Sequence, residues 1–237
     1  MQISVSDAAK ILKVSTKNIY DWIKQGSIPF YQINEQYRFN RVELLEWASS
    51  RRILASPEVF LEADAEEEQF PCLVDSLNAG GIFYRVGGND KASVLRAVID
   101  TLIFPEGEEV DKEFLFQILL AREALGSTCV GDGVAIPHVR NPVVLQVTKP
   151  SIWLCFLDHP INFGAPDGQP VNILFTLISP TVRAHLHLLS RLSFALQDKT
   201  FKAALKRQAP AAELMETVAS IEMAQTALSS GSAVPMR

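Results

Sequence analysis

The chain has 237 residues, of which 48% are hydrophobic and 21% charged, a composition typical of a globular protein with two unequal domains. No apolar stretch reaches the roughly 18 residues that span a bilayer, and the first residues lack the basic-then-apolar order of a signal peptide. We therefore expect a cytoplasmic protein without membrane insertion. Its three cysteines are widely spaced and form no CxxC pair, which argues against a disulfide framework and a zinc site.

The net charge of -5 is unevenly distributed along the chain. Residues 1–55 contain eight Lys/Arg and five Asp/Glu, whereas residues 56–70 contain six acids and no base. This asymmetry predicts a small basic domain at 1–55, an acidic linker at 56–70 and a larger body at 71–222. The small, polar residues of 223–237 predict a flexible tail.

The first 55 residues contain two short helical patterns separated by a tight break. The first is predicted to begin at Ser6 and the second at Ser15, both of them capping residues. A hairpin is predicted in "FYQINEQYRF", with its turn at residues 34–35, and a third helix is predicted to begin at Asn40. Two helices joined so closely form a helix-turn-helix, here followed by a wing.

The segments "AAKILKVS", "IYDWIKQGSIP" and "YRFNRVELLEW" resemble the excisionase-like and MerR-like winged helix-turn-helix family. The resemblance implies that the second helix enters the major groove of DNA while the wing contacts phosphate. The groove-facing candidates are Ser15, Thr16, Lys17, Tyr20, Asp21 and Lys24. Arg38 is the candidate wing contact, with Arg41 nearby.

Two features leave the role of this domain open. Asp21 stands where such helices often carry a basic residue, and a charge of about +3 is small for one domain on DNA, because phosphate neutralisation dominates affinity. A homodimer would double the contacts. The alternative is a helix-turn-helix that docks onto a protein.

The body alternates helical patterns with apolar runs of strand length. Asn89 is predicted to cap one helix, and "DKEFLFQILLARE", "AHLHLLSRLSFAL" and "AELMETVASI" predict three others. The runs "SIWLCFL" and "VNILFTLI" are continuously apolar and predict strands covered on both faces. The expected fold class is α/β (α+β), a mixed β-sheet flanked by helices on both sides.

His138 ends the apolar run "GVAIPH". Because Pro137 lacks a backbone donor, the strand is at a sheet edge or ends there. The strand period of two places Val134, Ile136 and His138 on one face, so His138 continues a buried face toward the rim of the sheet. This position alone is more typical of a structural histidine than of a catalytic one.

Other residues indicate an anion site near His138. Arg122 ends an apolar helix, and the following Gly126–Gly133 segment is rich in small residues, so Ser127 and Thr128 are candidate phosphate-binding residues. His185 lies on the inward face at a helix N-terminus, where an anion is favoured, whereas His187 points elsewhere. These groups suggest a site that receives a phosphoryl group. A nucleophilic Cys129 paired with His138 is a further alternative.

The stretches "REALGSTCVGDGVAIPH" and "HLHLLSRLS" resemble the enzyme IIA domain of the fructose–mannitol and nitrogen-regulatory type, from the bacterial phosphoenolpyruvate:sugar phosphotransferase system. The resemblance implies that His138 accepts a phosphoryl group from the phosphocarrier protein HPr, assisted by His185 and Arg122. It implies phosphotransferase chemistry with neither a metal nor an organic cofactor. Val139 stands where the family usually has a small residue, and we interpret it as a restriction on partner approach.

Three functions follow from this pair of domains. The first is a regulator that converts phosphorylation of His138 into DNA binding. The second is a phosphocarrier that passes the group to a sugar-specific subunit. The third is a docking protein that regulates a kinase or a transporter without binding DNA.

Overall fold

A computed structural model describes residues 2–33, 36–51, 53, 71–104, 108, 110–139, 145 and 147–230. The predicted turn at 34–35, the predicted linker at 56–70 and residues 231–237 lie outside the described residues. The elements, in chain order, are β1 (Gln2–Ser4), α1 (Val5–Ile11), α2 (Thr16–Lys24), β2 (Tyr31–Ile33), β3 (Gln36–Asn40), α3 (Arg41–Ser50), α4 (Leu73–Gly80), β4 (Gly81–Val86), α5 (Lys91–Thr101), α6 (Lys112–Ala124), β5 (Cys129–Gly131), β6 (Val134–Ala135), β7 (Ser151–Ile161), β8 (Val171–Ile178), α7 (Val182–Ala195), α8 (Lys199–Lys206) and α9 (Ala211–Ser230).

The N-terminal domain packs three helices against a three-stranded antiparallel sheet of order β1-β3-β2. The predicted hairpin is β2–β3, but strand β1 was not predicted. Ser15 caps α2 as expected, whereas α1 is capped by Ser4 and not by Ser6. Ser4 Oγ accepts from Asp7 N, and the Asp7 carboxylate accepts from Ser4 N, so the reciprocal capping box selects the earlier serine.

The C-terminal domain is built on a five-stranded mixed sheet of order β4-β7-β8-β6-β5. Parallel pairs (β4/β7 and β6/β8) alternate with antiparallel ones (β7/β8 and β5/β6). The apolar runs predicted as interior strands lie within β7 and β8. Two buried clusters cover the two faces of the sheet, one with α4, α7, α8 and α9, the other with α5 and α6. The predicted fold class is confirmed.

Two helix boundaries differ from the sequence predictions. Helix α5 is capped by Asp90 and not by Asn89, because the Asp90 carboxylate accepts from Ser93 N at 2.8 Å. Helix α9 continues to Ser230, beyond the predicted domain end at residue 222. Its extension carries Gln225, which accepts a hydrogen bond from Arg191 at 3.2 Å. None of the helices in the described part of the chain is both long and apolar enough to span a membrane.

The two domains are in contact through helices α3 and α7. Leu45 of α3 and Leu186 of α7 form a buried pair, against which Ile11 and Val182 pack. We call these four side chains the docking contact. Because α7 also carries His185, the docking contact brings the N-terminal domain next to the predicted phosphoryl site.

Candidate functional site

The backbone places His138 beside the central strand β8. Strand β6 ends at Ala135, since Pro137 cannot donate to the ladder. The chain nevertheless continues along β8: Leu177 N donates to Pro137 O at 3.2 Å, and His138 forms an isolated parallel bridge with Leu177. Ile136 lies in the α7-side core cluster, so His138, two residues on, is directed toward α7 as the strand period predicts.

The imidazole of His138 is held in one orientation. Its Nδ1 lies 2.7 Å from Ile136 O, and because a carbonyl only accepts, Nδ1 must carry the proton. Nε2 then carries the lone pair, and it is buried without a hydrogen-bond partner among the described residues. Nε2 is therefore the ring nitrogen whose lone pair can act as a nucleophile.

His185 faces His138 from the first turns of α7. The ring centroids are 5.1 Å apart with an interplanar angle of 43°, and both His185 nitrogens are buried without a partner among the described residues. His187 lies on another row of the helix, where its Nε2 accepts from Arg191 Nε at 3.2 Å. The sequence-based distinction between these two histidines agrees with these contacts.

Both facing histidines are held in their neutral forms. Burial, together with the Arg122 charge, lowers the pKa of His138 to about 4, and the Ile136 carbonyl opposes the shift. Burial also lowers the pKa of His185 well below its usual value, with contributions from His138 and Arg122. Neutral imidazole is the nucleophilic form, so this environment prepares His138 for attack on an electrophile.

We expect these depressed pKa values to make the protein less stable in mild acid. The unfolded chain takes up protons below about pH 6.5, whereas the folded chain keeps His138 and His185 neutral. The free energy of unfolding therefore decreases as the pH is lowered. Each buried histidine contributes up to about 1.4 kcal/mol per pH unit between its unfolded and folded pKa values. Urea unfolding at pH 7.5 and pH 5.5 measures the loss. Equal losses in the wild type and in a His138→Gln/His185→Gln variant would contradict this origin.

Arg122 lies at the end of α6, next to the loop that precedes β5. Its Nη1 donates to Gly126 O at 3.0 Å, and its charge contributes to the pKa shifts of both histidines. The charge of Arg122 therefore acts on both His138 and His185.

The loop hydroxyls are used differently from the sequence prediction. Ser127 Oγ donates to Phe163 O at 2.9 Å, and the buried Thr128 donates through both its hydroxyl and its backbone N–H to Glu123. Both hydroxyls therefore hold the loop in place and are not directed at a phosphoryl group. Thr128 is directed at Glu123 because a buried carboxylate requires donors.

Glu123 was missed by the sequence analysis. Its carboxylate is buried, receives the two Thr128 bonds and lies 3.4 Å from Lys91 Nζ. Burial raises its pKa, while Thr128 and Lys91 oppose the shift. Helical spacing could have revealed it, since it follows Leu115 and Leu119 on the inward face of α6. Glu123 anchors the loop next to Arg122.

Two further sequence interpretations are not supported. Val139 is buried in the core cluster on the other face of the sheet, so its side chain packs and does not restrict an approaching partner. Cys129 is buried, and burial raises the pKa of its thiol to about 11, which leaves it protonated and poorly suited to act as a nucleophile.

The comparison with known families decides the identity of the C-terminal domain. Residues 75–221 match the family described as phosphoenolpyruvate-dependent sugar phosphotransferase system, EIIA 2. The chain belongs to this family. Residues 3–52 match a helix-turn-helix domain family, in agreement with the fold of the N-terminal domain.

Individual relatives of the EIIA domain support the assignment. A nitrogen regulatory protein of Pseudomonas aeruginosa is 37% identical over 141 residues, which is 59% of this chain and 88% of the relative. A fructose-specific EIIA component of Haloferax volcanii is 30% identical over 117 residues, covering 48% of this chain and 73% of the relative. The crystal structure of nitrogen regulatory protein IIA-Ntr from Neisseria meningitidis superposes with a TM-score of 0.50 at 28% identity, covering 58% of this chain and 92% of that one.

The candidate DNA-contacting residues of the helix-turn-helix domain form an exposed face. Thr16, Lys17, Tyr20 and Lys24 are exposed along α2, and Tyr20 retains 45% exposure while the domain contacts the EIIA domain. Ser15 is exposed, but its hydroxyl caps α2 by accepting from Asn18 N. On β3, Arg38 is half-buried and donates to Gln36 at 2.7 Å.

A cleft of about 760 Å³ lies between the helix-turn-helix and EIIA domains. Its walls include Trp47 and Arg51 from the N-terminal side and Arg122, Leu125 and Ser127 from the EIIA side. Arg122 thus lines a space between the two domains, whereas Nε2 of His138 is buried. In this arrangement Arg122 borders the cleft and Nε2 of His138 is covered.

Proposed function

We propose that this chain is a phosphorylation-dependent regulator located in the cytoplasm. His138 accepts a phosphoryl group from a phosphocarrier protein of the HPr type, and the state of His138 controls DNA binding by residues 1–55. The observation that carries the proposal is the neutral imidazole of His138, with Nδ1 fixed by Ile136 O, Nε2 buried and the ring 5.1 Å from that of His185.

The transfer step follows from this geometry. The lone pair of Nε2 attacks phosphorus in line, the N–P bond forms, and the bond from phosphorus to the donor breaks with its electron pair leaving on the donor. The Nδ1 proton stays in its hydrogen bond to Ile136 O, which stabilises the developing positive charge on the ring. Arg122 provides positive charge to the transferring oxygens, and an N–H of His185 donates to them.

The position of the helix-turn-helix domain favours regulation over simple phosphate carriage. A carrier needs only the EIIA domain with its phosphoryl site, whereas here a second domain contacts the helix that carries His185. The other candidates are a phosphocarrier to a sugar-specific subunit and a docking regulator of a kinase or transporter. Transfer of the phosphoryl group to such a subunit, or partner affinity without DNA affinity, would favour them.

We propose that residues 1–55 bind duplex DNA as part of a homodimer. The exposed face of α2 provides Thr16, Lys17, Tyr20 and Lys24, while Arg38 contacts phosphate from the wing. One domain has a charge of about +3, and two domains double the phosphate contacts and fit half-sites about one helical turn apart. The proposed units are 1–55 and 71–222, joined by 56–70.

We expect the full chain to retard a fragment of its own upstream DNA at about 50 mM salt, with affinity falling steeply as salt rises. Lys17→Ala should relax sequence preference, because a groove-facing residue reads bases, and Arg38→Ala should weaken all sequences about equally, because phosphate is common to them. Electrophoretic mobility shifts over a salt series measure both effects.

The matched control is Lys10→Ala, which removes an exposed lysine from the end of α1, outside the proposed contact face. It should leave sequence preference unchanged. A monomeric protein that binds no genomic fragment near 50 mM salt, whether phosphorylated or not, would exclude the DNA-binding function and favour the docking regulator.

A further inference from the structure

The nucleophile of the proposed reaction is inaccessible in the folded chain. His138 is 4% exposed, His185 is fully buried, and Nε2 of His138 has no contact with solvent. A phosphoryl donor must approach Nε2 in line, with its phosphorus within about 3–3.5 Å of the attacking atom. Part of the structure must therefore move before the transfer can occur.

The docking contact lies on the helix that carries His185, next to the buried nucleophile. Leu45 is 1% exposed because it is buried against Leu186 of the EIIA domain. Its neighbour Leu44 is instead buried in the core of the helix-turn-helix domain itself. Val182 and Leu186 lie one turn apart on α7, on either side of His185 in sequence. The α3 helix therefore packs across the segment that carries the histidine facing His138.

A phosphorylated His138 is incompatible with this cover. A phosphoryl group adds a charge of about -1.5 to -2 and oxygens that require hydrogen bonds. The docking contact, on the same helix as His185, is formed by apolar side chains, and burial of a charge beside such surface without hydrogen-bond partners is strongly unfavourable. Solvent or a polar partner must replace the helix-turn-helix domain once the group is attached.

We propose that the helix-turn-helix domain docks over the phosphorylation site of its own chain, so that docking and phosphorylation of His138 exclude each other. The proposal rests on the proposed function, because His138 must be the acceptor. The docked domain and the phosphocarrier compete for the surface formed by α7 and His138. Phosphorylation traps the undocked state, and docking slows phosphorylation in proportion to the docked fraction.

The docked state keeps the proposed DNA-contacting surface available. Lys17, Tyr20 and Lys24 are exposed while Leu45 is buried against Leu186. The unphosphorylated chain therefore presents α2 in a fixed position on the EIIA domain, and phosphorylation releases it. The docking contact is thus the link between His138 and the recognition helix.

Reaction with diethyl pyrocarbonate tests the cover without any phosphodonor. This reagent modifies accessible neutral imidazoles, and His159, with 75% of its side chain exposed, is an internal reference in every sample. Peptide mass spectrometry should show His138 protected relative to His159 in the wild type. Leu45→Glu, which places a charge in the docking contact, should raise the reactivity of His138 at least about tenfold.

Two further variants separate undocking from unfolding. Val182→Glu disturbs the docking contact from the EIIA side, at the first turn of α7, and leaves the helix-turn-helix core intact. It should expose His138 as Leu45→Glu does. Gln25→Glu adds the same charge at an exposed position of the helix-turn-helix domain and should leave His138 protected.

Phosphorylation kinetics provide the second arm. With phosphoenolpyruvate, enzyme I and HPr, Leu45→Glu should be phosphorylated at least about tenfold faster than the wild type and Gln25→Glu. If His138 is as reactive as His159 in the wild type, or stays protected in both Leu45→Glu and Val182→Glu, the docking proposal is overturned. If His138 becomes exposed in the variants but no variant is phosphorylated, the result supports shielding of His138 by the helix-turn-helix domain and contradicts the proposed phosphoryl transfer.

Discussion

Substitution of His138 by alanine or glutamine is expected to abolish phosphorylation of the chain by phospho-HPr. Nε2 of His138 is the nitrogen that lacks a proton, and no other side chain in the proposed step forms a bond to phosphorus. Incubation with phosphoenolpyruvate, enzyme I and HPr, followed by intact mass under alkaline conditions, should show one added phosphoryl group in the wild type and none in either variant. Alkaline handling is required because phosphohistidine is acid-labile.

The control for this result is His159→Ala. His159 is exposed and lies beside Asp158 at 3.3 Å, so its removal should not affect labelling. His187→Ala is a second control, because His187 bonds to Arg191 on another row of α7. Undiminished labelling of His138→Ala would rule out His138 as the acceptor.

Removal of Arg122 or His185 should slow phosphorylation by roughly 10²–10³, the usual cost of losing one charge-stabilising donor. Arg122→Ala removes a positive charge that acts on both histidines, and His185→Ala removes the ring 5.1 Å from His138. Single-turnover labelling by a saturating amount of phospho-HPr measures the rate, and circular dichroism verifies folding. The acceptor remains in both variants, so labelling should reach completion at long times.

A remote arginine provides the matched control for Arg122. Arg96 pairs with Glu113 at 2.6 Å and stacks on Phe116, and Arg96→Ala should label at the wild-type rate. Rates close to wild type in both Arg122→Ala and His185→Ala would exclude their proposed roles in the transfer.

Local sequence signals predicted most of the fold because they have local physical causes. The continuous apolar runs of β7 and β8 follow from burial on both faces of a sheet, and their length distinguished them from helices. The first residue of a helix was harder to predict. Ser4 and Ser6 are both good caps, and the choice depends on the bond that Ser4 N donates to the Asp7 carboxylate. Strand β1 was missed because its three residues pair with a distant strand.

Side-chain directions in the site were predictable where the period of a single strand or helix sets them. The period of two directed His138 toward α7, and the helical period separated His185 from His187. The roles of Ser127 and Thr128 were not predictable, because Ser127 bonds to a carbonyl distant in sequence and Thr128 bonds to a carboxylate whose burial was not predicted.

The contact between the domains is visible in the sequence as a second apolar face on α3 and on α7. A prediction that assigns each helix a single buried face does not detect it. Leu44 and Leu45 are adjacent, so a single face of α3 cannot bury both in the same core. Val182 and Leu186 similarly form an apolar pair on α7, apart from the Leu188–Leu192 face that packs on the sheet. A helix that is apolar on two faces requires two partners, although the sequence does not identify the second one.

The central claim is that His138 controls the helix-turn-helix domain, and DNA affinity in the two phosphorylation states tests it most directly. Fluorescence anisotropy with a labelled upstream fragment at fixed salt compares wild type before and after complete phosphorylation, with His138→Gln treated identically. Release of the docked domain and the added negative charge should weaken wild-type binding by roughly 5–150-fold, the usual range of coupling between two sites, and leave His138→Gln unchanged. Equal affinities of the phosphorylated and unphosphorylated wild type would contradict the account.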